Sequence, residues 1–106
     1  MSTVTPWGPS QSSTEIAPGI TFHSTASHGG YELSPARVAS MPKPLREFQP
    51  WAGPGYYEED CDWSLVALSF PQFFPEDARE AAMRTLERYK PEVYREFVAV
   101  TAGRGV

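Results

Sequence analysis

The longest apolar run of the chain lies between Tyr56 and Phe74, and it sets the strongest constraint on the fold. Four of its residues follow the i, i+3, i+4, i+7 spacing that defines one face of an α-helix. These are Trp63, Val66, Ala67 and Phe70, and Cys61, Leu65 and Leu68 fill the stripe beside them. The pattern predicts a helix from Asp60 to Ser69 that is the most buried helix of the fold and that ends at Pro71.

A run of carboxylates precedes this helix and includes Glu58, Glu59, Asp60 and Asp62. Carboxylates suit the positive end of a helix dipole, and Asp60 or Asp62 can accept hydrogen bonds from the first-turn amides. We interpret the run as a charged helix start. A metal or acid/base site is the alternative.

The N-terminal third has the alternation of a small sheet. Period-two patterning from Thr14 to Leu33, with turn signals at Pro18-Gly19 and His28-Gly29-Gly30, predicts an antiparallel meander of two or three strands. Such a sheet is marginal alone and needs a helix on one face. The chain is therefore predicted to be α+β, with an antiparallel sheet over about residues 14–33 packed on three or four helices.

The helical part begins at Ser34-Pro35, a cap followed by proline at the first helical position. A short helical turn follows at Pro44, with Leu45 and Phe48 inward. Two further helices begin at Pro75 and Pro91. Their predicted inner faces hold Ala78, Ala82, Thr85, Leu86 and Tyr89 in the first, and Val93, Phe97 and Val100 in the second, which ends at residues 101–103.

The length of 106 residues fits a single domain. Residues 1–13 are rich in Ser, Thr and Pro and are predicted to form an irregular arm that docks Trp7 onto the domain of residues 14–106. Cys61 is the only cysteine, and the sequence shows no secretory leader and no membrane span. We expect a soluble, cytoplasmic monomer.

The net charge of −4 argues against a general binder of duplex DNA. Residues 1–57 are neutral, with three acidic and three basic residues, so the deficit lies in the second half. The catalytic inventory is small: His23, His28 and Cys61 match no nucleophile or zinc pattern. We predict no enzyme, cofactor or metal; a metal-assisted hydrolase using His28 with Glu58 or Asp60 is the competing class.

Basic and aromatic residues alternate between Tyr31 and Tyr57. Single-stranded nucleic acid is bound in this way, with bases stacked on rings and cations along the phosphates. The candidate contacts are Tyr31, Arg37, Lys43, Arg46 and Trp51, whereas Phe48 and Tyr56 are assigned to the core.

At TPWG, APGI, SHGGYELS, MPKPLREF and YYEEDCDW the chain resembles a domain carried by plasmids, phages and integrative elements, and it is similar to small anti-CRISPR proteins of the type I-E class. The resemblance covers nearly the whole chain and implies a non-catalytic inhibitor in the host cytoplasm. The implied targets are the surveillance complex, the helicase-nuclease or the R-loop DNA. It assigns no role to any residue.

Three interpretations of the function remain open from the sequence, and the first of them is preferred. In the first, the basic and aromatic stretch binds the displaced single strand of the R-loop and denies it to the helicase-nuclease. In the second, Glu58, Glu59, Asp60 and Asp62 mimic DNA on a basic protein groove. In the third, the chain is an interaction module of mobile elements without inhibitory activity.

Overall fold

A four-stranded antiparallel sheet with helices packed on one face organises the computed structural model, which describes residues 4–50 and 52–104. The strands are β1 (Val4–Thr5), β2 (Gly8–Pro9), β3 (Ser12–Ala17), β4 (Ile20–Ser24), β5 (Gly29–Leu33) and β6 (Tyr56–Glu58). The helices are α1 (Pro35–Ala39), α2 (Lys43–Arg46), α3 (Trp63–Ser69), α4 (Glu76–Tyr89) and α5 (Pro91–Arg104), with a 3-10 turn at Pro71–Phe73. The predicted α+β class is confirmed.

The sheet has the strand order β3-β4-β5-β6. Strands β3, β4 and β5 form the predicted meander, and Gly19 supplies the positive φ of +84° at its first turn. Strand β6 was not predicted. It pairs Tyr57 with Tyr31 across a long stretch of chain, and three residues are too few to show alternation.

The two faces of the sheet differ. The face toward the helices buries Ile20, Leu33 and Tyr57. Cross-strand partners project to the same side, so the register places Glu15, Glu32 and Glu58 together on the opposite side. We call this second side the outer face.

Helix α3 is the centre of the core, as predicted: Leu65, Val66 and Ala67 are fully buried. It packs against β5 and β6 on one side and α4 on the other. It begins at Trp63 and not at Asp60, because residues 59–62 form turns before it.

The other helices follow the sequence signals with two corrections. Ser34 caps α1, since its Oγ accepts a hydrogen bond from the Arg37 amide at 3.2 Å. Tyr89 was predicted to face inward but is 56 % exposed, and Val100 is 39 % exposed. Tyr89 is the last residue of α4, and Val100 lines a surface pocket with Lys43, Pro44 and Glu47 of the α2 segment. Helix α5 also continues through residue 103 to Arg104. None of the described helices is long and apolar enough to cross a membrane.

The arm contains a hairpin where an irregular segment was predicted. Strands β1 and β2 pair around Pro6-Trp7, and the Thr5 hydroxyl closes the turn by donating to the Gly8 carbonyl at 2.7 Å. Trp7 is docked, as predicted, and is 9 % exposed. Its indole lies over Gly30, where a Cβ atom would come within 2.3 Å of the ring. Glycine at this position therefore makes the docking possible.

The buried position of Val66 yields a stability prediction. Val66→Asp places an uncompensated charge in the core, a cost of several kcal/mol that approaches the roughly 5–15 kcal/mol by which domains are stable. We expect the variant to lose its cooperative thermal transition in circular dichroism. Gln72→Asp, at an exposed position, is the control and should melt like the parent. A Val66→Asp protein with the parental melting curve would contradict the assigned orientation of α3.

Candidate functional site

The charged residues of this protein are distributed unequally between the strands and the helices. The two-strand hairpin and the four-stranded sheet contain Glu15, Glu32 and Glu58 but no Lys or Arg: β1 to β5 precede Arg37, the first Lys or Arg of the chain, and β6 reads Tyr-Tyr-Glu. All three carboxylates belong to the outer face. Two exposed acidic residues, Glu59 and Asp60, directly follow β6. The outer face and the turn after it are therefore an acidic surface that the near-neutral N-terminal half of the sequence does not reveal.

A buried histidine joins the hairpin segment to this face. His23 is 3 % exposed, with Ser10 Oγ 2.9 Å from Nδ1 and Glu32 Oε1 2.8 Å from Nε2. Ser10 Oγ also donates to the Ser12 carbonyl at 2.9 Å, so its proton is not directed at the imidazole as nucleophilic catalysis requires. Ser10, His23 and Glu32 are the residue types of a catalytic triad, but here their hydrogen bonds connect the segment after the hairpin to the sheet.

A pocket of about 410 Å³ opens at the end of the outer face, and we call it the acidic pocket. It is lined by residues from the hairpin, the β4–β5 turn, the segment before α3 and the α4–α5 corner. These are Trp7, His28, Glu58, Asp60, Cys61, Asp62 and Lys90. Three carboxylates against one ammonium group leave the lining with two negative charges when His28 is neutral.

Glu58 holds the floor of this pocket in place. Its carboxylate accepts hydrogen bonds from the amides of Asp60, Cys61 and Asp62 at 2.8, 2.7 and 2.9 Å. Burial by itself would raise the pKa of Glu58, but these three amides and the charge of Lys90 outweigh it and lower the pKa. Asp60 or Asp62 was predicted to accept hydrogen bonds from the first-turn amides of the helix, and that prediction is wrong. The amides of Ser64 and Leu65 donate to the backbone carbonyls of Cys61 and Asp62, and Asp62 makes no side-chain cap bond.

Asp62 forms an ion pair beneath the surface. Its Oδ1 lies 3.0 Å from Lys90 Nζ, and the two side chains are 4 % and 16 % exposed. Lys90 Nζ also lies 4.5 Å from the centre of the Phe48 ring. Asp62 is thus committed to an internal partner, which leaves Glu59 and Asp60 as the exposed members of the acidic run.

The lining of the acidic pocket bears on the two enzyme hypotheses, a thiol nucleophile and a metal site. His28 and Cys61 both line it, but burial and the nearby carboxylates, Glu58 foremost, raise the pKa of the Cys61 thiol despite the opposing charge of Lys90. A raised pKa disfavours the thiolate that acts as nucleophile. Among the described residues, no group of three or more His, Cys, Asp or Glu side chains could hold a metal ion. His28 with Glu58 or Asp60 therefore lacks a third ligand within this part of the chain.

The nucleic-acid candidates make separate contacts. Tyr31 packs edge-on against Phe22 and Phe74, with ring centres 5.0 and 5.7 Å apart. Arg37 donates to the Pro18 carbonyl at 2.8 Å. Its guanidinium also lies over the rings of Phe70 and Phe73, at 5.2 and 5.3 Å. Tyr31 and Arg37 are therefore engaged within the fold.

Lys43 and Arg46 are exposed on α2, which packs against α5. The Arg46 guanidinium donates to the Ala39 and Met41 carbonyls at 3.4 and 3.5 Å. Trp51 lies outside the described residues. Phe48 and Tyr56, which were assigned to the core, are half-buried.

Lys90 is the site residue that sequence reasoning missed. It lies in the corner between two helices, where the sequence around it reads as a solvated helix end. Its partner Asp62 is far away in the chain, and only the return of α4 along α3 brings them together. No local pattern carries that information.

Fold and site together define a small α+β protein with a carboxylate-lined pocket beside an acidic sheet face. Residues 1–105 match the family described as Domain of unknown function (DUF7007), so the chain belongs to that family. No curated protein and no solved structure matches the chain.

The bonds to Glu58 predict a specific pH dependence. A carboxylate with a lowered folded-state pKa stabilises the protein above its unfolded-state value, about 4.3, and that stability is lost as the pH falls through the folded pKa. Glu58→Gln should lower the free energy of unfolding by about 0.5–2 kcal/mol at pH 7, the range of helix-cap losses. The difference in unfolding free energy between the variant and the parent should vanish when the pH is below the folded-state pKa of Glu58.

Urea denaturation at several pH values measures this difference. Glu59→Gln removes a neighbouring exposed carboxylate and should change little at any pH. Equal losses for the two variants, or a Glu58→Gln deficit that persists below the folded pKa, would contradict the assigned role.

Proposed function

We propose that this protein inhibits type I-E CRISPR interference by stoichiometric binding, and that it binds a basic surface of the surveillance complex or of the helicase-nuclease through its outer face and acidic pocket. The inhibitor class comes from the resemblance of the sequence. The choice of surface comes from the division of charge between the layers. The protein acts as a binding partner and not as an enzyme.

The observation that carries this choice is the absence of Lys and Arg from the described strands, together with the common orientation of their three carboxylates. Proteins that bind nucleic acid present dense basic grooves, and an acidic surface complements such grooves. Glu15, Glu59 and Asp60 are exposed, and the side chain of Glu32 is 38 % exposed. These groups can approach a partner without unfolding any part of the domain.

Binding to the displaced single strand is the second candidate. It has one supporting observation: Arg37 lies over Phe73, which is 36 % exposed, so one cation and one ring meet at the surface. Against it, Tyr31 and Arg37 already have internal partners, and Arg46 donates to two backbone carbonyls of its own segment. The acidic route therefore has better support.

A charge reversal tests the proposal. Glu59→Lys/Asp60→Lys puts two cations on the acidic surface, and like charges across an interface cost several kcal/mol. We expect inhibition in a plasmid-interference assay to fall by at least about tenfold, the equivalent of 1.4 kcal/mol. The control, Glu80→Lys/Glu87→Lys, makes the same change in net charge on exposed positions of α4 and should inhibit like the parent.

A pull-down with separately purified surveillance complex, helicase-nuclease and R-loop DNA identifies the target. Retention of a protein component, lost in the Glu59/Asp60 double variant, supports the acidic route. Retention of R-loop or single-stranded DNA alone, weakened by Arg46→Glu, would replace it with the single-strand mechanism. Unchanged interference in the presence of the parent protein would leave a non-inhibitory interaction module.

A further inference from the structure

We propose that the open edge of strand β3 binds an extended segment of the partner protein in which every second residue is Lys or Arg. The segment adds to β3 as an antiparallel fifth strand of the sheet and places its cations on the outer face. This inference rests on the proposed function and specifies the element of the partner that makes contact. It is carried by unpaired backbone groups of β3 and by the charge beside them.

Strand β3 lies at one edge of the sheet, and residues 12–15 are exposed. These residues make no backbone-to-backbone hydrogen bond other than those to β4 within the described part of the chain. Lys, Pro and short strand length commonly protect such edges from pairing with another chain. Strand β3 has six residues without Lys or Pro, whereas β6, at the other edge, has three. The edge of β3 is therefore the longer and less protected one.

The register shows which backbone groups of β3 face the open side. The Ser24 carbonyl accepts a hydrogen bond at 2.7 Å from the amide of the residue that precedes β3, so Ser24 faces β3. Its partner is Ser12, and backbone groups alternate in direction along an antiparallel strand. Ser12 and Thr14 therefore bond to β4, and the N–H and C=O groups of Ser13 and Glu15 point to the open side. A partner strand can complete four hydrogen bonds there.

The charge beside this edge selects a basic segment. Ser13 and Glu15 share the outer face, because side chains two positions apart in a strand project to the same side. Glu15 forms no ion pair with another described residue, and the described strands contain no Lys or Arg. A residue paired with Glu15 across an added strand lies about 4.5–5.5 Å away between Cβ atoms, where opposite charges attract. Alternate basic residues of the segment thus lie on the acidic side of the sheet.

A second copy of this chain fits the same edge less well. Each copy has a net charge of −4 and its own Glu15, so pairing of two β3 strands brings like charges together. A basic segment supplies the opposite charge. Binding at β3 is also compatible with binding at Glu59 and Asp60, since β3 and β6 are the two edges of one sheet and both border the outer face.

The probe is the peptide acetyl-Thr-Lys-Thr-Lys-Thr-Lys-Thr-amide, compared with three analogues. In the added strand the residues that pair with Ser13 and Glu15 are the Lys residues, so their amides donate to β3. N-methylation of the Lys residues removes these donors and should abolish binding. N-methylation of the Thr residues, whose amides face solvent, is the matched control and should preserve it. Replacement of every Lys by Glu reverses the charge and should also abolish binding.

Hydrogen exchange of single backbone amides, followed by NMR, is the readout. In the free protein the amide of Thr14 should exchange more slowly than those of Ser13 and Glu15, because it already bonds to β4. With the Thr-Lys peptide at about ten times its dissociation constant, exchange of Ser13 and Glu15 should slow by about tenfold. Glu15→Lys should weaken binding of this peptide by about tenfold, whereas Glu80→Lys, on an exposed position of α4, should not change it.

Three results would overturn the proposed edge site. The first is equal binding of the Thr-Lys peptide and its N-methyl-Lys analogue, and the second is equal binding by Glu15→Lys and Glu80→Lys. The third is protection of Ser13 and Glu15 without peptide that rises with protein concentration, together with a dimer in sedimentation. That result would assign the edge to a second copy of the chain.

Failure of this inference and failure of the proposed function give different results. A parent protein that blocks interference, but whose Ser13 and Glu15 amides are unaffected by the Thr-Lys peptide, overturns the edge site and leaves the inhibitory function intact. Protection that depends on the Lys charges and on Glu15, in a protein that does not inhibit interference, supports the edge site and rejects the inhibitory function.

Discussion

The start of the central helix depends on a carboxylate that comes from the sheet. Helix α3 has seven residues, and isolated helices shorter than about 12–15 residues are marginal in water. Its stability comes from burial between the sheet and α4, which requires the preceding turn to be fixed. Glu58 fixes that turn through three amides, and the Asp62–Lys90 pair ties the same turn to the α4–α5 corner. The sheet, the central helix α3 and the pair of helices α4 and α5 therefore meet at one group of polar contacts, made by Glu58, Asp62 and Lys90.

These contacts divide the acidic run into two functions. Glu58 and Asp62 serve the fold, because their oxygens are occupied by amides and by an ammonium group. Glu59 and Asp60 project into solvent and can serve a ligand. Glu59 and Asp60 lie between Glu58 and Asp62 in the sequence, so a partner that bound them, as proposed, would lie directly beside the turn on which folding depends.

Local signals made much of the fold predictable from sequence. The apolar stripe of α3, the meander and the Ser34 cap depend on residues within a few positions of one another. Strand β6 and the Asp62–Lys90 pair depend on segments far apart in the chain, and no periodicity reports such meetings. The acidic run was recognised, but its amide acceptor was misassigned, because the choice of Glu58 follows from the register of β6. The pocket could not be predicted because it draws on the hairpin, two turns and a helix corner.

The two proposed binding mechanisms would use different residues: the acidic route would use the outer face and the run from Glu58 to Asp62, and the single-strand route would use Arg37 and Phe73. The outer face and the run from Glu58 to Asp62 hold six carboxylates and are reached by one cation, Lys90, while the remainder of the chain has seven acidic and eight basic residues. A net charge of −4 thus conceals a polarised molecule. Such polarity orients an encounter, since a basic groove attracts the acidic side first and a nucleic acid attracts the other. Both encounters weaken with salt, so salt dependence does not separate the mechanisms. Reversing the charge of Glu59 and Asp60 does separate the mechanisms. It weakens binding to a basic groove and leaves the residues proposed to contact single-stranded DNA unchanged.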